Sequence, residues 1–279
     1  MKKNLQKIKT LAALLLLFCV SLSSCDKEPF TPEKKLIKIY FGNKTYEGKE
    51  ISEEWFWEDN KVKKINYYYS GEVYDKTVHY IYEDNKLVKV TDNDGHYSIT
   101  YSNSKISTIE YYRGGGISLA TWEFNYLNGK ISKIVFEYDS RFFEDKTAIA
   151  PFMSSFYPQK SIDFIAATSK GKSGGGTNIT TYKYSGDNLK EVETKYPEYN
   201  NKMTTIFKSY DKMQNPYYKQ IIFRNSVEMA FSKNNPLEYE IYFNETLYSS
   251  SNITYKYENE FPVEVINTQN NVVIYYEYE

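Results

Sequence analysis

The chain has 279 residues, with 35 Lys and Arg against 36 Asp and Glu, 41% hydrophobic residues and 18% aromatic residues, including 30 tyrosines. That apolar content at a net charge of −1 excludes a chain too polar to bury a core, and the length suits one large all-β domain or two smaller domains. Balanced charge with three arginines (Arg113, Arg141, Arg224) argues against a nucleic-acid partner, and two His and two Cys leave little for metal or thiol chemistry.

The N-terminus joins a basic start (Lys2, Lys3, Lys7, Lys9) to the apolar run Leu11–Val20 and then small residues. This is the three-part form of a secretory signal, too short to span a bilayer permanently. Leu22-Ser23-Ser24-Cys25 resembles the lipobox of bacterial lipoproteins, which implies acylation of the Cys25 thiol and cleavage just before it. Residues 1–24 are thus expected to be removed and residues 25–36, with Pro29 and Pro32, to form a lipidated tether. Four lysines leave with the signal and no acid does, so 31 cations face 36 acids and the mature chain carries about −5. Cys19 leaves too, so no disulfide is expected within the mature chain.

From residue 37 to 279 the apolar pattern is that of strands. A unit recurs: aromatic-x-aromatic, a polar turn, Lys or Asn, an aliphatic, two residues and a second aliphatic. Its copies run from Trp55-Phe56-Trp57 to Ile65, Tyr80-Ile81-Tyr82 to Val90, Ile99-Thr100-Tyr101 to Ile109 and Phe124-Asn125-Tyr126 to Ile134. Two more begin at Tyr182-Lys183-Tyr184 and Tyr255-Lys256-Tyr257, and Tyr210 and Phe231 fall at near-matching intervals between them. Alternating aromatics share one strand face, and Asp-Asn, Asn-Gly or Gly-Asp supplies the positive φ of a tight turn. A step of 19–25 residues holds two strands and two turns. The pattern predicts an all-β antiparallel meander of about sixteen strands, closed as a porin-like barrel or open as a curved sheet. Asn215-Pro216 and Asn235-Pro236 mark expected hairpin ends.

Residues 139–178 break the pattern and predict one long excursion, with short helical turns near 150–168 and a flexible exit at Gly174-Gly175-Gly176. Its aromatics, Phe152, Phe156 and Tyr157 among them, are expected to dock on the sheet as a gate or plug.

The lipobox together with the Tyr-x-Tyr, Asn-Lys-Leu and Asn-Pro pattern resembles a family of Bacteroides-type cell-envelope lipoproteins of unknown function, which carry one repetitive, porin-like all-β domain. The resemblance implies an outer-membrane lipoprotein of a Gram-negative bacterium, on the periplasmic or the surface face, and implies no activity. The unit is also similar to the Tyr-Asp repeats of large bacterial shell proteins, although the Gly-Arg found there stands here as Asn-Lys or Gly-Lys. Polar residues interrupt both faces in Lys63-Lys64-Ile65-Asn66 and Thr181-Tyr182-Lys183-Tyr184, and mean hydropathy is −0.63. A membrane barrel needs an outward apolar band, so a water-exposed curved sheet or barrel with a Tyr-rich interior is expected.

No chemical motif stands out. Ala166–Ser173 ends like a phosphate-binding loop but lacks its first Gly. Asp92-Asn93-Asp94-Gly95 has calcium-like spacing without the later Glu and reads as a turn, and His79 and His96 read as sheet-surface residues. Acid pairs such as Glu53-Glu54, Glu83-Asp84 and Glu144-Asp145 sit mostly where solvated turn acids are ordinary, so a glycoside hydrolase is a third reading only. Neither a catalytic residue nor a cofactor nor a metal is expected. The candidate ligand-binding set is Trp55, Trp57, Tyr80, Tyr82, Tyr101, Trp122, Tyr126, Phe152, Phe156, Tyr157, Tyr182 and Tyr184, rings suited to stacking on a glycan. A glycan, a small molecule or an envelope protein is the expected partner, with the membrane reached through Cys25. The alternative is an envelope assembly module with no small ligand.

Overall fold

A computed structural model describes residues 34–43, 46–69, 73–114, 116–143, 157–169, 174–218, 230–268 and 272–279. The signal sequence, Cys25, Phe152 and Phe156 lie outside these residues.

The described residues form sixteen strands: β1 (Leu36–Asn43), β2 (Tyr46–Glu58), β3 (Lys61–Tyr69), β4 (Val73–Glu83), β5 (Lys86–Thr91), β6 (Gly95–Ser102), β7 (Lys105–Arg113) and β8 (Ile117–Leu127). They continue as β9 (Lys130–Tyr138), β10 (Gly176–Ser185), β11 (Asn188–Tyr196), β12 (Asn201–Gln214), β13 (Asn234–Phe243), β14 (Thr246–Glu258), β15 (Phe261–Asn267) and β16 (Val272–Tyr278). Each strand pairs antiparallel with its sequence neighbours, and β1 pairs with β16, so the meander closes into a barrel rather than an open sheet. Between β9 and β10 lie a 3-10 turn (Ser140–Phe143) and a helix, α1 (Gln159–Ser169). Call the rim holding the turns after even-numbered strands the near rim, and the opposite one the far rim.

The repeat is the near-rim hairpin. Consecutive positive φ values at Asp59-Asn60, Asp84-Asn85, Asn103-Ser104, Asn128-Gly129 and Asn259-Glu260 are those of a primed turn, which matches the strand twist. In six hairpins one extra residue follows the turn: Lys63, Val88, Ser107, Ser132, Lys190 or Val263 has no partner across the ladder. This β-bulge explains the spacing of three between aliphatics. Without it Val62 and Ile65 would face opposite sides of β3; with it both are buried inward, as are Leu87 with Val90, Ile106 with Ile109 and Ile131 with Ile134.

Burial alternates along the strands, so one hydrophobic core fills the lumen while Lys, Glu and Thr face outward. Cross-strand ion pairs join the outward positions: Lys183–Glu191 at 2.7 Å, Lys208–Glu240 at 2.7 Å and Lys256–Glu264 at 2.7 Å.

Two long connections enter the lumen. At the far rim Phe142, Phe143, Tyr157, Ile162 and Ile165 are buried in the core. Helix α1 starts where Pro158 fixes the first turn, its carbonyl accepting from the N–H groups of Ser161 and Ile162, and its inner side is Ser161, Ile162 and Ile165. At the near rim the β12–β13 connection buries Asn215, Tyr217, Ala230, Phe231 and Ser232.

Three expectations need correction. Phe231 belongs to this near-rim plug and not to a repeat strand, with its ring 5.2 Å from that of Tyr182. Asn215-Pro216 does end β12, but Pro236 is the third residue of β13, opposite Tyr210 in a stretch where the register shifts on both sides, a bulged setting of the kind that tolerates proline. The glycine exit is a site of close packing: a Cβ on Gly175 would lie 1.9 Å from the Tyr138 carbonyl oxygen. Only glycine lets the chain pass there.

Candidate functional site: the aromatic lumen

The described members of the aromatic set share the lumen but divide into three groups. Trp57, Tyr82, Tyr101, Tyr126 and Tyr184 form a half-buried tier at the near rim, each the second aromatic of its repeat. Their polar atoms are largely used within the barrel. Tyr101 donates its hydroxyl to the Leu87 carbonyl at 2.9 Å, Tyr126 to Ile106 at 2.9 Å and Tyr184 to Ile131 at 3.0 Å. Trp57 Nε1 donates to the Leu36 carbonyl at 2.7 Å. In each tyrosine case the acceptor is the first aliphatic of the preceding repeat, so the tier ties successive hairpins together. The lysine after each turn adds a second tie: Lys61, Lys86, Lys105 and Lys130 lie 5.6, 5.5, 5.1 and 5.3 Å from the ring centres of Tyr82, Tyr101, Tyr126 and Tyr184. Burial pushes the Tyr101 hydroxyl up to about 12 and raises those of Tyr82, Tyr126 and Tyr184 as well.

The second group surrounds a buried acid. Trp55 stacks on Trp57 with centroids 6.2 Å apart and meets Tyr217 of the near-rim plug at 6.3 Å. Trp55 Nε1 donates to Glu53 Oε2 at 3.0 Å, and Glu53 is 3% exposed. Burial first, and then neighbours that include the Glu53 charge, raise the hydroxyl pKa values of Tyr80 and Tyr217. Glu53 is therefore no solvated turn acid. Strand alternation alone assigns Glu53, Trp55 and Trp57 to one face; paired with Glu54 as an acidic dipeptide, it reads as surface.

The third group lies toward the far rim. Trp122 stacks on Phe136 at 4.7 Å, and Phe142 sets its edge against both rings at 5.7 Å. Tyr157 is fully buried beside Trp122 and Thr180. Tyr182 lies between this cluster and the near-rim plug.

Other candidates are placed as follows. Asp92-Asn93-Asp94 connects β5 to β6 as a turn: Asp92 Oδ1 accepts from the N–H groups of Asp94 and Gly95, and its Oδ2 meets Lys76 Nζ at 2.6 Å. The buried Lys76 ammonium takes the place a cation would fill, with Asp94 at 3.5 Å. That role for Lys76 had no signal in sequence beyond its parity with Val78 and Tyr80. His79 points outward on β4, and His96 stacks on Tyr112 at 5.1 Å. Among the described residues no group of three His, Cys, Asp or Glu side chains could hold a metal. Ala166–Ser169 forms the last turn of α1.

No protein-family model matches the sequence, and no curated protein matches it either. Solved structures do. A porin-like protein from Bacteroides vulgatus ATCC 8482 superposes with a TM-score of 0.52 at 13% identity, over 88% of this chain and 99% of that one. A porin-like protein from Bacteroides uniformis ATCC 8492 gives 0.52 at 12% identity, over 88% and 98%. At this identity the likeness concerns the fold, and the fold this chain shares with them is the closed, porin-like barrel.

Proposed function

We propose that the chain is a non-enzymatic binding barrel of a Gram-negative outer membrane, tethered by lipid on Cys25 and standing in water rather than in the bilayer. One observation carries this reading: charged side chains face outward at mid-strand, including Glu110, Glu123, Lys133, Glu193 and the Lys208–Glu240 pair. A membrane barrel presents apolar residues there, and an outward Lys at the bilayer midplane costs about 2–4 kcal/mol. The apolar residues instead fill the lumen, which also argues against conduction. A ligand or partner would engage the barrel through its luminal aromatic groups or the plugs that cover them.

The second reading is an assembly module without a small ligand. It is favoured at the near-rim tier, where tyrosine hydroxyls are donated to backbone carbonyls. Metabolic labelling with palmitate and fractionation test the tether. The wild-type chain should label and sediment with membranes, and Cys25→Ala should do neither. A Cys25→Ala chain that still labels and stays membrane-bound contradicts the proposal.

A further inference from the structure

The core fills the lumen, so room for a ligand is found at the rims. At the far rim a groove of about 500 Å³ opens between the β11–β12 turn and the β13–β14 turn, within the roughly 300–1,000 Å³ of small-ligand sites. Its polar lining is Asn200, Asn201, Asn244, Lys195, Lys202 and Glu245. Asn244 fixes one turn to the other: its N–H donates to the Lys202 carbonyl at 3.0 Å, its Oδ1 accepts from the Lys202 N–H at 2.8 Å, and its Nδ2 donates to Asn201 Oδ1 at 2.7 Å. Asn200 closes the Pro197–Tyr199 turn by donating its N–H to the Pro197 carbonyl at 3.2 Å. Asn200 and Asn244 take left-handed φ values of 50° and 45°, a region that asparagine enters more readily than most residues. The backbone thus sets where the three carboxamides stand.

The charges of the groove are balanced. Lys195 and Lys202 stand directly opposite each other across the β11–β12 ladder, where like charges repel. Carboxylates offset them: Glu193 lies 3.4 Å from Lys195 and 3.9 Å from Lys202, and Glu245 lies 3.0 Å from Lys202. The Lys195 and Glu245 side chains are 56% and 82% exposed, so an incoming group reaches them without displacing packed atoms. Ammonium and carboxamide donors therefore alternate with carboxylate and carboxamide acceptors, while Pro197 and the lysine stems add apolar surface. Hydroxyls donate and accept at once, and adjacent hydroxyls on a ring match such an array. A charged ring would set its charge against one member of each ion pair. Both ends of the barrel chain lie at the near rim, where the Glu279 N–H donates to the Lys35 carbonyl at 2.8 Å, so a lipid tether would leave the far-rim groove facing away from the bilayer. We propose that the far-rim groove between the β11–β12 and β13–β14 turns binds a neutral mono- or disaccharide. The inference rests on the binding-barrel reading and moves its site from the lumen to the rim.

The test is isothermal titration of the full-length chain, purified in a detergent without a sugar headgroup, with glucose, galactose, mannose, N-acetylglucosamine, maltose and lactose, and with glucuronate and glucosamine as charged controls. At least one neutral sugar should bind, at least tenfold more tightly than either charged control. Asn200→Gly suits the left-handed backbone while removing the carboxamide, and Lys195→Met keeps the stem while removing the charge. Both should unfold at the wild-type temperature, and weakening of binding at least fivefold in either supports the site. Lys133→Met, outward on β9, should bind as the wild type does. Absence of binding by all six neutral sugars, or equal or tighter binding of a charged control, overturns the ligand class. Wild-type affinity in both groove variants, or equal weakening by Lys133→Met, overturns the site while leaving a binding barrel standing. Failure of the tether reading would appear separately, in the fractionation of Cys25→Ala.

Discussion

Glu53 shows how a single side chain can be read wrongly by composition and correctly by position. Its neighbour Glu54 faces outward, where it accepts from the Tyr68 hydroxyl at 3.1 Å, while Glu53 turns inward to Trp55 Nε1. Removing the carboxylate leaves the buried indole N–H without that acceptor, so Glu53→Ala should lower stability by about 1–3 kcal/mol. Glu53→Gln, which keeps an acceptor oxygen, should lower it less. Urea unfolding of the two variants checks the order; equal losses would show that the hydrogen bond to Trp55 contributes little.

Among the elements, the far-rim plug is held mainly by aromatic edges. Phe142 touches Trp122, Phe136, Tyr111 and Phe143, with centroids between 5.0 and 5.7 Å. Phe142→Ala should therefore cost about 3–5 kcal/mol and raise hydrogen exchange first in α1, whose own packing is confined to one side. Exchange that rises equally in every strand would instead mean that plug and wall unfold as one unit.

Legibility in the sequence followed the locality of the interactions. The near-rim hairpins could be read because each is set by contiguous chemistry: Asp-Asn or Asn-Gly at the turn and aromatics two apart. Their bulges were visible as a spacing of three between aliphatics, though that spacing alone does not say which residue loses its partner. The excursion could be read from its break in pattern, and α1 lies across the expected helical region. The β12–β13 plug could not, because Phe231 happens to fall at a repeat interval and its burial depends on Tyr182, which is distant in the chain. Closure between β1 and β16 likewise rests on partners at opposite ends of the sequence, such as Ile39 with Tyr276. For the aromatic site, strand parity gave the shared luminal face, while the use of the rim hydroxyls depended on which hairpins became neighbours.

For the whole molecule, the abundant tyrosines tie stability to alkaline pH. The fold favours the protonated hydroxyl of Tyr101, raised from 10.0 to about 12 by burial. Stability from such a group is fully present below pH 10 and is lost as pH rises toward 12, because the unfolded chain ionises first. Tyrosine absorbance at 295 nm should show the lumen tyrosines ionising together with cooperative unfolding above about pH 10. Their ionisation near pH 10 with the fold intact would contradict a closed, filled lumen.

The arrangement of this barrel is opposite to that of a membrane barrel, with its polar wall outward and its apolar residues inside. Single cysteines at Thr100, Glu123 and Thr254, all outward and exposed, test it in the native envelope after membranes are opened to a water-soluble, membrane-impermeant maleimide. All three should label as rapidly as a thiol in free solution, without detergent. Protection of these positions, relieved only when detergent dissolves the bilayer, would place the wall in lipid and contradict it.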